Sequence, residues 1–119
     1  MEWDVEATDE FIHWLNSLME AQQEVVGEAI EQLETVGPNL KFPLSSGING
    51  SRHSHMRELR IQHRGRPLRV LYAFDPRRTA ILLLGGDKTG DDRWYERNVP
   101  VADDLYDTYL RELKEEGLI

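Results

Sequence analysis

The stretch MRELRIQHRGRPLRVLYAFDPRRTAILLL, residues 56–84, decides how this chain folds. Residues 56–63 alternate apolar with polar. Residues 67–75 alternate again, with Leu68, Val70, Tyr72 and Phe74 on one side and Arg69, Leu71, Ala73 and Asp75 on the other. RGRP separates these two runs, and DPRR separates the second from an apolar strand over 79–84. Connections of two to four residues force neighbouring strands to run antiparallel, so the three form a meander. Leu59 and Ile61 then face the core with the Leu68 set, and Arg60 lies beside Arg69 on the open face.

Outward from the meander, Trp3 and Val5 alternate with acids as a short half-buried strand. Thr8 or Asp9 caps a helix whose apolar positions are Phe11, Ile12, Leu15, Leu18 and Met19. A second helix begins near Ala21, turns Val25, Val26, Ala29, Ile30, Leu33 and Val36 to one face, and ends at Gly37-Pro38. Its acids Glu24, Glu28 and Glu31 fill the solvated face. Residues 38–55 hold two prolines, two glycines and four serines, and read as a long loop with a functional role. After Gly85-Gly86 and the polar run DKTGDD, Asn98 and Pro100 announce a last helix, with Pro in its first turn. The order β-α-α-β-β-β-α makes an α+β domain, a small antiparallel sheet packed with helices, over 1–119 as one unit.

Composition narrows the function. The absence of cysteine excludes a disulfide framework and a thiolate metal site, and no apolar run reaches membrane-spanning length. The acidic N-terminus is unlike a signal peptide, so a cytoplasmic protein with no membrane association is expected. The net charge of -8 hides a pattern: residues 1–40 carry ten acids and no lysine or arginine, whereas residues 41–97 carry twelve Lys and Arg against six acids. Either one face meets a polyanion, or acidic helices neutralise a basic sheet.

Arg60 and Arg69, ringed at the turn by Arg64 and Arg66, suit phosphate because guanidinium offers a planar fork of permanently charged donors. The plain alternative is a solvated sheet face with Arg60–Glu58 and Arg69–Asp75 ion pairs. ILLLGGDKTG is not a phosphate loop, since Asp87 stands between Gly86 and Lys88 and the earlier glycine is missing. What it does is deliver Lys88 to the end of a strand, near the arginine face. His53 and His55, two apart in a loop with no nearby acid, fit a phosphate neighbourhood, or no site at all, better than a metal, and no metal or other cofactor is expected. His13 is a packing or surface residue. Trp94 and Tyr95, between Arg93 and Arg97, suit either base stacking or a helix turn docked on the sheet.

MRELR, GRPLRVLYAFD, ILLLGG and DKTGDDRWYERNVPVADDLYDTYL together resemble the RelE/HigB-like toxins of type II toxin–antitoxin modules, most of all the phage-related HigB-type branch. The resemblance covers about Met56 to Leu110. It implies a RelE-like fold and a ribosome-dependent mRNA endonuclease that cuts in the A site by 2′-hydroxyl attack, without metal. It also implies a separately encoded antitoxin, of helix-turn-helix type. By the same resemblance Arg69 is the basic residue of the middle strand, Lys88 sits close to the scissile phosphate, Tyr95 stacks on an mRNA base, and Arg57 and Arg60 add basic strand positions. Arg93, Arg64, Arg66, His53 and His55 complete the expected RNA contacts. The general base stays open between Lys88 and the two histidines, because arginine remains protonated. A catalytically decayed relative and a plain RNA-binding module are the rival readings.

Overall fold

A computed structural model describes residues 2–119. Strands β1 (Val5–Ala7), β2 (Ser45–Gly47), β3 (Arg57–His63), β4 (Arg66–Phe74) and β5 (Ala80–Asp87) form one sheet in the order β1-β5-β4-β3-β2. Helices α1 (Asp9–Ser17), α2 (Glu20–Val36) and α3 (Trp94–Glu115) complete the fold. The α+β class and the expected order hold, with two additions. The long loop contributes β2, which pairs with β3 from Arg57 to Leu59. The N-terminal strand runs parallel to β5, with Val5 opposite Ala80, so the sheet is mixed.

Local chemistry sets the turns. Arg64 and Gly65 both take positive φ, 49° and 80°, which gives the β3–β4 hairpin a two-residue primed turn matched to strand twist. The Thr8 hydroxyl caps α1 by accepting from the Phe11 amide at 3.0 Å. At the β4–β5 turn the buried Asp75 carboxylate accepts from the amides of Arg77 and Thr79, from the Arg77 guanidinium and, at 2.8 Å, from the Tyr109 hydroxyl of α3.

Both faces of the sheet are covered. Phe11, Val26 and Leu33 from α1 and α2 pack on Leu59, Leu68, Val70 and Tyr72. Val99, Ala102 and Tyr106 from α3 pack on Met56, Leu71, Ala73 and Ile81. The expectation of an open face beside Arg69 is therefore corrected. Helix α3 starts at Trp94 rather than at Asn98, leaving Pro100 in its second turn, and the added first turn lies over the arginine end of that face. Gly85 and Gly86 do not end the last strand either. They lie inside β5 on opposite faces, and each makes room for an indole. A Cβ on Gly85 would stand 2.1 Å from Trp14, and one on Gly86 would stand 2.4 Å from Trp94.

Two outcomes follow for stability. Gly86→Ala must displace Trp94 and should lower the unfolding free energy by about 1–3 kcal/mol in urea denaturation, whereas unchanged stability would contradict this packing. Burial works to raise the Asp75 pKa, but the hydrogen bonds from Tyr109, the Thr79 amide and Arg77 outweigh it and hold the carboxyl below its usual range. A carboxylate depressed on folding stabilises above its unfolded pKa, and that contribution is lost as pH falls through the folded value. Stability should thus fall as the pH drops below about 4, the ordinary carboxyl value, and Asp75→Asn should lose less over the same acid range.

Candidate nucleic-acid interface

Strand register brings the site together. Arg60 and Arg69 are direct cross-strand partners, and Glu58 lies two residues before Arg60 on the same face. Gly86 flanks Arg69 in β5, so the indole of Trp94 on Gly86 places the next residue of α3, Tyr95, above the arginine. Arg69 Nε donates to Tyr95 Oη at 3.1 Å and lies 3.4 Å from Glu58 Oε1, while its Nη1 donates to the Leu68 carbonyl at 3.0 Å. Tyr95 Oη donates to Glu58 Oε1 at 2.5 Å, and Arg60 Nη1 donates to Glu58 Oε2 at 3.3 Å. The side chains of Glu58 and Arg69 are only 5% and 6% exposed, against 32% for Arg60. Burial first, then the Glu58 contact, push the Tyr95 hydroxyl above its ordinary pKa despite Arg69, so it keeps its proton at neutral pH. Lys88 Nζ stands over the Tyr95 ring, 5.6 Å from its centre.

Hollows surround this cluster. A cleft of about 320 Å³ is lined by Pro43, Leu44, Arg60, Ile61, Gln62 and Arg69. A second, of about 370 Å³, reaches Glu58 and Tyr95 from Gly47, Ile48 and Asn49. Arg64 is exposed at the hairpin turn and Arg93 is exposed just before α3, while Arg66 pairs with Asp87 at 3.0 Å and Arg97 with Asp91. On the other flank of Arg60, Glu28 and Glu31 of α2 line a groove with Gln62. Among the described residues no acid of α1 or α2 forms an ion pair with a hairpin arginine.

Several expected contacts lie elsewhere. Arg57 is on the opposite face, where Nε donates to Ser45 Oγ at 3.0 Å and Ser45 in turn bonds Tyr72 Oη at 2.6 Å. It pins the loop before β2. His53 and His55 pack on the middle of α3: His53 Nε2 is 2.7 Å from Asp107 Oδ1, and His55 Nε2 is 2.9 Å from Tyr106 Oη. Arg52 joins Asp104 and Asp107, and Ser51 joins Asp103. Burial, then the charge of His53, lower the His55 pKa, and burial pushes Tyr106 up to about 12. Tyr106 is three helical turns past Tyr95, roughly 16 Å along the axis, so the histidines are not beside the arginine cleft. The partners that hold them, Asp107 for His53 and Tyr106 for His55, come from α3 and are not neighbours in the sequence. Of the plain alternative's two pairs, Arg69–Asp75 is absent, since Asp75 follows the far end of β4, whereas Arg60–Glu58 is present at 3.3 Å. What that alternative did not give Glu58 is its contact with Arg69 and Tyr95, which the strand register and the early start of α3 bring to it.

Residues 13–107 match the family model described as phage derived protein Gp49-like. The chain belongs to the Gp49-like family. Relatives in Mycobacterium tuberculosis carry the names toxin HigB2 and toxin HigB3. HigB2 is 42% identical over 104 residues, 86% of this chain but 52% of that protein, so the chain spans about half its length. HigB3 is 44% identical over 98 residues, 82% of this chain and 84% of that one. Among solved structures, the free toxin RelE of E. coli, as an arginine-to-alanine double mutant, superposes with a TM-score of 0.57. It is 11% identical, over 81% of this chain and 94% of that chain, so what is shared is the fold. The HigB-like kinship expected from the strand motifs is thereby shown, and the likeness to RelE is one of fold. Among the described residues of this Gp49-like chain no helix is long and apolar enough to cross a membrane.

The buried pair changes what the loss of Arg69 should do. On an open face Arg69→Ala would spare the fold. Here it leaves the buried Glu58 with fewer cations, and should cost about 3 kcal/mol in urea denaturation. Combined with Glu58→Gln, Arg69→Met should cost less than the two single changes added, because the orphaned charge is gone. Strict additivity would show that the two side chains do not interact.

Proposed function

We propose that this chain is the toxin of a type II toxin–antitoxin module and cuts mRNA in the ribosomal A site. The observation that carries the reading is the gathering of Arg60, Arg69, Tyr95 and Lys88 around one buried carboxylate, Glu58, at the mouth of a cleft. Kinship with proteins named toxins HigB2 and HigB3 supports the substrate class. The same kinship supports an antitoxin as partner; on this reading it is of helix-turn-helix type, and the cytoplasm, where ribosomes work, is the place of action.

The chemistry divides among these groups. As the ribose 2′-oxygen adds to phosphorus, negative charge builds on the phosphoryl oxygens, and Arg60 and Lys88 are the accessible cations to meet it. The 2′-hydroxyl must lose a proton, which no arginine can take. Tyr95 Oη already donates to Glu58, so a 2′-hydroxyl that passes its proton to Tyr95 sends the phenolic proton on to Glu58. Tyr95 ends neutral. The 5′-oxygen leaves with a proton from Lys88, and the products are a 2′,3′-cyclic phosphate and a 5′-hydroxyl. Arg69 positions Glu58 and Tyr95 rather than touching phosphate, and Arg64, Arg66 and Arg93 steer the RNA backbone. The step as written needs no metal.

The burial of Arg69 against Glu58 favours one rival, a relative that has kept the fold and its partner surface but not catalysis. Growth on induction separates the two. Expression should arrest growth, and Arg60→Glu or Lys88→Ala should slow cleavage of ribosome-bound mRNA by about 10²–10³. Unimpaired growth would favour the rival, and a 3′-hydroxyl product end would overturn the 2′-attack mechanism.

A further inference from the structure

We propose that Phe42 is a stacking platform for one unpaired nucleobase, the base next to the phosphate that Arg60 meets. The inference rests on the RNA-cutting reading above and deepens it by naming the base contact.

Phe42 is 70% exposed, the most exposed of the large apolar side chains among the described residues. Isolated apolar residues are ordinary on protein surfaces. This one differs in its surroundings. The Arg60 guanidinium lies over the ring, 5.2 Å from its centre, which leaves the other face of the ring to solvent. The next two residues, Pro43 and Leu44, line the cleft that contains Arg60 and Arg69, so the ring stands at its rim. The Leu44 carbonyl accepts from the Arg60 amide at 2.8 Å, which ties the segment carrying Phe42 to β3. The ring is thus held in register with the arginine it stacks on.

Arg60 spends only Nη1 on Glu58, so its remaining N–H donors are free to turn toward an anion while its plane rests on the ring. A nucleotide carries a flat π surface and an anion joined by one sugar, which is what a neighbouring ring and guanidinium can hold together. Stacking of this kind tolerates any base, so it adds grip without reading sequence. An aromatic side chain of a protein partner would also cover Phe42, but would leave those donors without an anion.

The test measures the affinity of the full chain for a labelled single-stranded oligoribonucleotide, alongside cleavage of mRNA on programmed ribosomes. Parent, Phe42→Ala and Phe42→Trp proteins are compared on intact RNA and on RNAs with one abasic residue placed at successive positions. Phe42→Ala should bind about tenfold more weakly with an unchanged circular dichroism spectrum, and Phe42→Trp should retain affinity and show a quenched indole signal on binding. At one position the abasic RNA should lose about tenfold with the parent and nothing further with Phe42→Ala. Equal abasic losses in both proteins at every position would overturn the proposal and leave the RNA reading standing. A parent that neither binds nor cuts RNA would overturn both. A Phe42→Ala protein that loses a protein partner but keeps RNA affinity would assign the ring to that partner instead.

Discussion

Arg69 carries a permanent positive charge into a sheet face that a helix closes, and the rest of the interface follows from what that charge requires. A guanidinium so buried needs a carboxylate, which Glu58 supplies from the neighbouring strand. A buried carboxylate needs further donors, and Arg60 and Tyr95 provide them. Tyr95 reaches the pair only because Trp94, one residue earlier, seats on Gly86, and Gly86 is the β5 neighbour of Arg69. Glycine, indole, phenol, carboxylate and arginine therefore form one unit. A change at any of them moves the others.

The same sheet explains why a cleft exists beside this unit. Strand β2 pairs with β3 only from Arg57 to Leu59, and after the bond from the Arg60 amide to the Leu44 carbonyl no outer strand pairs with β3. The segment before β2 folds back at Pro43 and Leu44 and leaves a gap where a longer strand would have filled it. Accessible arginine and buried arginine thus sit side by side, with Arg60 at the gap and Arg69 behind it. On the reading proposed above, the division of roles between them is a consequence of strand length.

The meander was legible because its alternation is long and its turns are chemically explicit: Arg64-Gly65 and Asp75-Pro76 admit few backbone paths. The three-residue strand β2 holds too little alternation to be seen, and the parallel pairing of the expected N-terminal strand with β5 depends on residues far away. The start of α3 was misread because Pro100 is a strong first-turn signal, while the true start is fixed by Trp94 packing on Gly86. Gly85-Gly86 looked like a stop because the indoles that fill their faces, Trp14 from α1 and Trp94 from the start of α3, belong to other elements. Of the site, Arg60, Arg69, Lys88 and Tyr95 were named from the sequence and the structure gathers them. Their roles, and the place of Glu58 between them, required the register. The histidines were misplaced because their partners, Asp107 and Tyr106, belong to another element.

An acidic chain need not present an acidic cleft, because local field and net charge are separate quantities. Along the hairpin, Glu58 offsets one of two arginine charges, and Asp87 and Asp91 offset Arg66 and Arg97. Lys88 at the cluster, with Arg64 and Arg93 exposed beyond it, adds cations on the β4, β5 and α3 side, where Asp92 and Glu96 are exposed as well. The α2 side is different: Glu28 and Glu31 border the groove that leads to Arg60 and Gln62. An RNA strand on the reading proposed above is repelled from that wall at distances within a Debye length, about 8 Å at physiological salt. It is drawn instead across Arg60 toward Tyr95 and Lys88. The acids of α2 then serve the cleft by closing one approach to it, so that the arginine at the gap meets a phosphate arriving from a single side.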